Sequence, residues 1–539
     1  MGRTPRHISS NRGSDGTYTL ESLPEFHRVV VTPTLAEHKP SDAAHRDVNP
    51  VAENLLRALE MREQYLWKRT THQNEDPKLA QFDEDARRDP FTFRAAPCGD
   101  DVQYNFSIGA TGVAEVKLNG RAVKEWAPPT LAAFSADLTW LYKVVCCGKA
   151  ECTFAHKRLK MLEKNFKYSQ EMNWSYEAEQ IRFSRSDFRK IVKVDTHIHA
   201  ASAFTRCELL DFMQTKLQDP HEALRIVATE DDKNGGLAEL SLAQVLVRSG
   251  LSSEKEEMYR QLTVDRLNVA ASAAMFHRFD NFNDSYNPMA NPNLRAIFMK
   301  TENKVDGQYF AELMHVVFER LRSAKHDGAH CRIEPRLSIY GRSDTEWDKL
   351  ARWFVNNKML SLDPADGSSD DRVRWAVQIP RLYQVFCGKP LLSFGHLLRN
   401  IFEPLFEVTI DPSTHPDLHV FLMHVGFFDC VDDESVLDDL TLHDFEKFPP
   451  DKYSKENGCT TNPPYSYFIY HLYANLKVLN HLREAKGFNT FPLKPHAGEA
   501  GSRHHMATAF LLADSVNHGA QFLSKVAIIK DALDLFDRE

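Results

Sequence analysis

The sequence predicts an α/β protein, a parallel sheet or barrel preceded by a mostly helical region. Two observations carry that expectation. From Lys190 onward, short apolar runs closed by polar turns alternate with longer amphipathic stretches, the rhythm of strand–helix units that pair in parallel. Before that point apolar residues recur at helical spacing, interrupted by one alternating stretch.

Taken in order, residues 1–20 are rich in Arg, Ser and Gly and predict a disordered tail. Residues 21–189 form the helical N-terminal region. Within it Val51, Leu55, Leu59 and Leu66 mark a helix over 51–70. The polar stretch 73–90 reads as a linker. Val102, Tyr104, Phe106 and Ile108 alternate and, with Gly109, Gly112 and the Asn119-Gly120 pair, predict a small β-hairpin. Leu141, Leu159, Leu162 and Phe166 return to the helical period across 137–180. Residues 190–539 form the second unit. Its strands are predicted at 191–197, 336–340, 373–379, 419–425, 490–494 and around 515–516, with a long acidic, proline-containing loop at 435–464.

Length and charge narrow the partners. A chain of 539 residues suits two units. The net charge of −9 argues against a nucleic-acid partner, whose phosphates require Lys and Arg, but leaves room for a small anion in a local basic pocket. Nine cysteines without a Cys-x-x-Cys pair suit a reduced, cytoplasmic setting. No apolar run reaches the roughly 20 residues that span a bilayer, so no membrane partner is expected.

Three motifs carry chemistry. In Val194-Asp195-Thr196-His197-Ile198-His199-Ala200 two histidines stand two apart at the end of an apolar run. On a strand that spacing turns both imidazoles to one face, half of a zinc or iron site. In Lys494-Pro495-His496-Ala497-Gly498-Glu499-Ala500-Gly501 a third histidine precedes a carboxylate by three residues. That adds a third ligand and a general acid or base, the ingredients of metal-assisted hydrolysis. Asn517-His518-Gly519 follows another short apolar run and is weaker alone. His504 and His505 are expected on the helix after the Glu499 turn, in structural roles.

The succession of motifs resembles the AMP deaminases of the adenosine and AMP deaminase family. His197-Ile198-His199-Ala200, His277-Arg278-Phe279-Asp280, Tyr286-Asn287-Pro288, Leu294-Arg295, Phe298, Lys300-Thr301, Ser338-Ile339-Tyr340-Gly341-Arg342, Gln378-Ile379-Pro380-Arg381-Leu382-Tyr383, Val431-Asp432-Asp433-Glu434-Ser435, Asn462-Pro463-Pro464-Tyr465, His496-Ala497-Gly498-Glu499 and Asn517-His518-Gly519 stand in family order. The resemblance implies a TIM-type (β/α) barrel with its site at the C-terminal strand ends. It implies zinc on His197, His199 and His496, and a catalytic pair in Glu499 and His518. Glu499 would protonate a purine ring nitrogen as hydroxide adds at carbon 6, and His518 would orient or deprotonate the attacking water. The substrate would be AMP, with IMP and ammonia as products. His199, Glu499 and the segment Asn281, Phe282, Asn283, Asp284, Ser285 and Tyr286 would meet that substrate. A homo-oligomer, or a hetero-oligomer with a related deaminase, is implied as well.

Two departures shape the expectation. The family segment Lys-Phe-Asn-x-Lys-Tyr reads Asn281-Phe282-Asn283-Asp284-Ser285-Tyr286 here, without either lysine, which weakens phosphate recognition. No Thr-Asp-Asp-Pro run occurs in the chain, whose last residue is Glu539. The expectation is a barrel lacking its last two strands, with impaired activity. The alternative is an inactive, shortened paralogue serving as regulatory or assembly partner of an active deaminase.

Overall fold

The computed structural model describes residues 42–66, 103–176, 178–179, 192–231, 237–262, 291–323, 331–360, 372–434, 448–499 and 502–519. The predicted tail at 1–20, the linker at 73–90 and residues 281–286 lie outside them. The chain divides into two compact units, residues 1–50 and 51–539. Of the first, only a helical stretch over 42–50 is described; the described sheets all belong to the second.

Helix α1 (Asp42–Tyr65) covers most of the first predicted helix. The alternating stretch forms β1 (Tyr104–Ile108), β2 (Ala114–Leu118) and β3 (Arg121–Ala122), an antiparallel sheet in the order β1-β2-β3. Its two turns sit where the glycines are, around Gly112 and at Asn119-Gly120, all at positive φ. Helix α2 (Leu131–Trp140) starts where the Thr130 side chain accepts from Ala133 N. A π-helical turn, Leu141–Cys146, leads to α3 (Lys149–Met172).

The second rhythm becomes a parallel α/β succession. Strand β4 (Lys193–His199) ends in the His-x-His pair. Helix α4 (Arg206–Gln218) follows, opened by a capping box between Thr205 and Glu208. An antiparallel pair, β5 (Ile226–Asp231) and β6 (Leu237–Ser241), is an excursion. Then come α5 (Gln308–Arg322), β7 (Cys331–Ser338), α6 (Glu346–Asn356), β8 (Trp375–Pro380), α7 (Phe394–Ile410), α8 (Pro416–Met423), β9 (Val425–Val431), α9 (Tyr465–Ala485), β10 (His496–Ala497), α10 (Arg503–Leu512) and β11 (Asn517–His518). Strands β4, β7, β8 and β9 pair in parallel in that order, and β10 pairs in parallel with β11. A bridge from Phe428 to Leu493 carries the order from β9 to the chain just before β10.

Three predicted strands, 191–197, 336–340 and 373–379, are recovered with shifted ends; those at 490–494 and 515–516 fall just short of β10 and β11, and one is corrected. Residues 419–423 are not strand but the larger part of α8, with Pro416 at its first position, where a missing N–H costs nothing. The strand begins at Val425. The run Leu418–Val431 is almost continuously apolar, and periodicity cannot separate a buried helix from a buried strand. At 490–494 only Leu493 makes a bridge, and the strand itself is His496–Ala497.

Strands β8 and β9 are buried between helices, as parallel strands usually are, while β4 at the end of the order is largely exposed apart from His199. Every residue of β8 is buried. Trp375 packs against Phe354 and Phe318, and its indole N–H donates to Met359 O. Each cysteine among the described residues is unbridged. Among them, too, no helix is long and apolar enough to cross a membrane.

Candidate metal centre

Chemistry-bearing residues collect at the C-terminal ends of the parallel strands. His197 and His199 close β4, where the register against β7 shifts between Asp195 and Ile198; such a bulge re-aims side chains. His199 is buried and His197 partly so, with ring centroids 5.5 Å apart. His496 opens β10, its ring 4.7 Å from His197 and 5.5 Å from His199. The pairing His496–Asn517 and Ala497–His518 sets β11 alongside. That brings the His518 ring to 4.2 Å from His197 and 4.8 Å from His496.

Glu499 arrives by way of a tight turn. Gly498 has φ +83, and a Cβ there would lie 2.5 Å from Met506 Sδ, so only glycine fits. The Gly498 amide donates to Oε2 of the buried Glu434 at 2.7 Å. Glu499 then stands 3.2 Å from His518 Nε2. His518 itself has φ 73, a left-handed conformation that a non-glycine residue holds at a cost of about 1–3 kcal/mol and that clusters at functional sites.

The ring nitrogens facing away from the cluster are held. His199 Nδ1 lies 2.6 Å from Gln378 Oε1 and His496 Nδ1 lies 2.9 Å from Asp429 Oδ1. Both partners accept, so each Nδ1 carries the proton and each Nε2 keeps its lone pair. Burial, with Arg336 and the other imidazoles nearby, pushes His197 down to about 2. Burial and His496 bring His199 to about 3 and His518 to about 4. The His197, His199 and His518 rings are therefore neutral, as metal ligation requires. Burial would raise the Asp429 carboxyl, but His496 and Arg336 outweigh it and hold the group well below the usual carboxylate range.

One candidate ligand atom from each of His197, His199 and His496 lies within 4.8 Å of the others, and the same holds for His496, Glu499 and His518. Three imidazoles, two of them with the outward nitrogen held by a carbonyl or carboxylate oxygen, are the donor set and supporting shell of a divalent transition-metal site. The residues present fit such an ion. His505 is buried against Tyr465, ring centroids 4.1 Å apart, and His504 stacks on Tyr142 at 3.5 Å; both lie on α10. Asn281, Phe282, Asn283, Asp284, Ser285 and Tyr286 fall outside the described residues.

Sequence reasoning gave no role to Arg336, Asp429, Gln378 or Glu434. A charged residue inside an apolar strand run is the signal that marks Arg336 and Asp429; assigning the strand to 419–425 hid the second.

A cavity of about 1150 Å³ is lined in part by Ser338, Tyr340, Lys300, Arg342, Lys349 and Phe386, and by none of the clustered histidines. Ser338 Oγ accepts from Gln378 Nε2 at 2.7 Å, so its wall stands two hydrogen bonds from His199. Lys300 donates to the Tyr340 hydroxyl at 3.0 Å.

The sequence model of a family described as AMP deaminase matches residues 24–533. The chain is similar to an AMP deaminase of Dictyostelium discoideum, 39% identical over 502 residues, covering 92% of this chain and 58% of that protein. It is similar to AMP deaminase 3 of Mus musculus, 36% identical with 92% and 63% covered. It also resembles an AMP deaminase of Schizosaccharomyces pombe, 39% identical with 81% and 50% covered. The chain thus spans about three fifths of the length of the first two and half of the third.

Proposed function

The chain belongs to the AMP deaminase family, and from that premise we propose that it catalyses metal-dependent hydrolytic deamination of AMP to IMP and ammonia. The observation that carries this reading is the meeting of His197, His199 and His496 with Glu499 and His518 at one set of strand ends. Three histidines with a position left for water suit zinc. When bound there, zinc supplies Lewis acidity, which brings the pKa of water toward neutrality.

The chain's own groups do the rest. Glu499 gives a proton to a purine ring nitrogen as carbon 6 is attacked. His518, neutral and beside Glu499, orients the attacking water and takes its proton. His199 stands at the cavity side of the cluster, through Gln378 and Ser338, where the ribose and phosphate would lie.

Broader features follow the same reading. The parallel strands from β4 to β11 would be most of a TIM-type barrel. The protein works in the cytoplasm, as a homo-oligomer or with a related deaminase. A coupled ammonia assay on zinc-loaded protein tests the activity. Ammonia released from AMP, and lost in Glu499→Gln, is expected; a metal-loaded, folded protein that releases none overturns it.

A further inference from the structure

We propose that Arg336 is the positioning residue of the metal centre, one guanidinium that sets three of its histidines at once. The proposal rests on reading the histidine cluster as a metal site. Arg336 sits on β7, paired with His199 on β4 and Ala376 on β8. Its side chain is fully buried, as is that of Asp429 on β9.

Three arms leave the guanidinium. Nε donates to Asp429 Oδ2 at 2.6 Å, and the other oxygen of Asp429 accepts from His496 Nδ1 at 2.9 Å. Nη2 donates to the Thr196 carbonyl at 3.2 Å, the backbone immediately before His197, and stands 3.3 Å from the His197 ring. Nη2 also donates to Asn517 Oδ1 at 2.9 Å, next to His518. Asn517 is fixed in turn by donating to Lys494 O, on the approach to His496. A single planar fork therefore ties β4, β9 and β11 together from its seat on β7.

Arginine suits the task because its donors hold fixed mutual directions. A lysine could pair with Asp429 but could not also span Thr196 and Asn517. The ion pair also assigns Asp429 its orientation. One oxygen is taken by Arg336, which leaves the other for His496. Outer partners of this kind typically change metal affinity 10–100-fold.

The test measures affinity for Zn²⁺ by competition with a chromophoric chelator, and the visible spectrum of Co²⁺-loaded protein. Both use the full chain, with circular dichroism of the metal-free protein as the folding control. The wild type binds one ion. Arg336→Met and Asp429→Asn each weaken Zn²⁺ about 10–100-fold and shift the Co²⁺ bands. The double variant is little worse than Arg336→Met alone, because Asp429 acts on His496 through an arm that Arg336→Met already removes. Arg336→Lys recovers part of the affinity. Folded single variants that bind like the wild type, or losses that multiply in the double variant, overturn the proposal while leaving the metal centre standing. A wild type that binds no Zn²⁺ overturns the metal-centre reading and this proposal with it. If Arg336→Met fails to fold, Arg336→Lys and Asp429→Asn decide the same question.

Discussion

The Glu499 carboxylate and the His518 imidazole stand 3.2 Å apart, although Glu499 lies in the turn after β10 and His518 on β11. Two residues of parallel pairing, His496 with Asn517 and Ala497 with His518, set that distance. The glycine turn at Gly498, held by Glu434, swings the carboxylate round to meet the ring.

If Glu499 carries the proton to the purine, Glu499→Gln keeps the size and hydrogen bonding of the side chain but cannot give up a proton. The turnover number should fall about 10²–10⁴-fold. KM for AMP and zinc content should change little. Turnover within a few-fold of wild type would remove Glu499 from the chemistry.

The cavity that reaches Ser338 makes a second prediction. Family lysines are absent at Asn281 and Ser285, and Lys300 and Arg342 line a space two hydrogen bonds from His199. If the AMP phosphate lies there, Arg342→Met loses a charge-assisted contact, roughly 1.5–3 kcal/mol. KM for AMP should rise accordingly, while deamination of adenosine, which has no phosphate, is unchanged. An equal effect on both substrates would place Arg342 outside phosphate recognition.

Much of this site was legible because its chemistry is local. His-x-His on a strand end and His-x-x-Glu across a glycine turn are short-range patterns, and both proved to lie where strands end. The supporting groups were not legible. Arg336 and Asp429 are 93 residues apart, and their pairing exists only once β7 and β9 flank β8. The same limit misplaced the strand before Asp429, where a mostly apolar run fits helix and strand alike until tertiary packing decides. The π-helical turn at Leu141–Cys146 likewise has no sequence signal that separates it from α-helix.

Acid stability follows from His471. This ring is fully buried on α9, facing the carbonyls of Tyr467 and Thr111 at 2.8 and 3.1 Å. Burial outweighs those two carbonyls, which favour the charged ring, and pulls its pKa down to about 4. The unfolded value is about 6.5. Between these limits the unfolded chain binds a proton that the fold refuses. The stabilisation is complete above pH 6.5 and is lost as pH falls to 4, on the order of 3 kcal/mol in all. Denaturant melts of wild type and His471→Gln across this range should diverge, the variant losing less stability with acid. Parallel curves would show that His471 does not carry the effect.

The last prediction concerns the grip of α9 on the N-terminal sheet. Asn475, fully buried, accepts from Ala114 N at 2.9 Å and donates to Gly112 O at 2.8 Å. Those bonds hold the turn between β1 and β2 against the parallel unit. Asn475→Leu nearly preserves volume but strands a buried amide and a buried carbonyl, each costing about 1–3 kcal/mol. Gly112→Ala attacks the same contact from the other side. Its φ is +70, and a Cβ would lie 2.6 Å from Pro450 Cγ and 2.9 Å from Leu398 Cδ1. Left-handed strain of roughly 1–2 kcal/mol adds to overpacking of about 1–3 kcal/mol. Each variant should lower unfolding free energy by a few kcal/mol, measured by urea denaturation. The double variant should fall short of their sum, because once the turn has left α9 the second change has little left to break. Full additivity would mean that Asn475 and Gly112 stabilise separate regions and that the turn is not held by this pair.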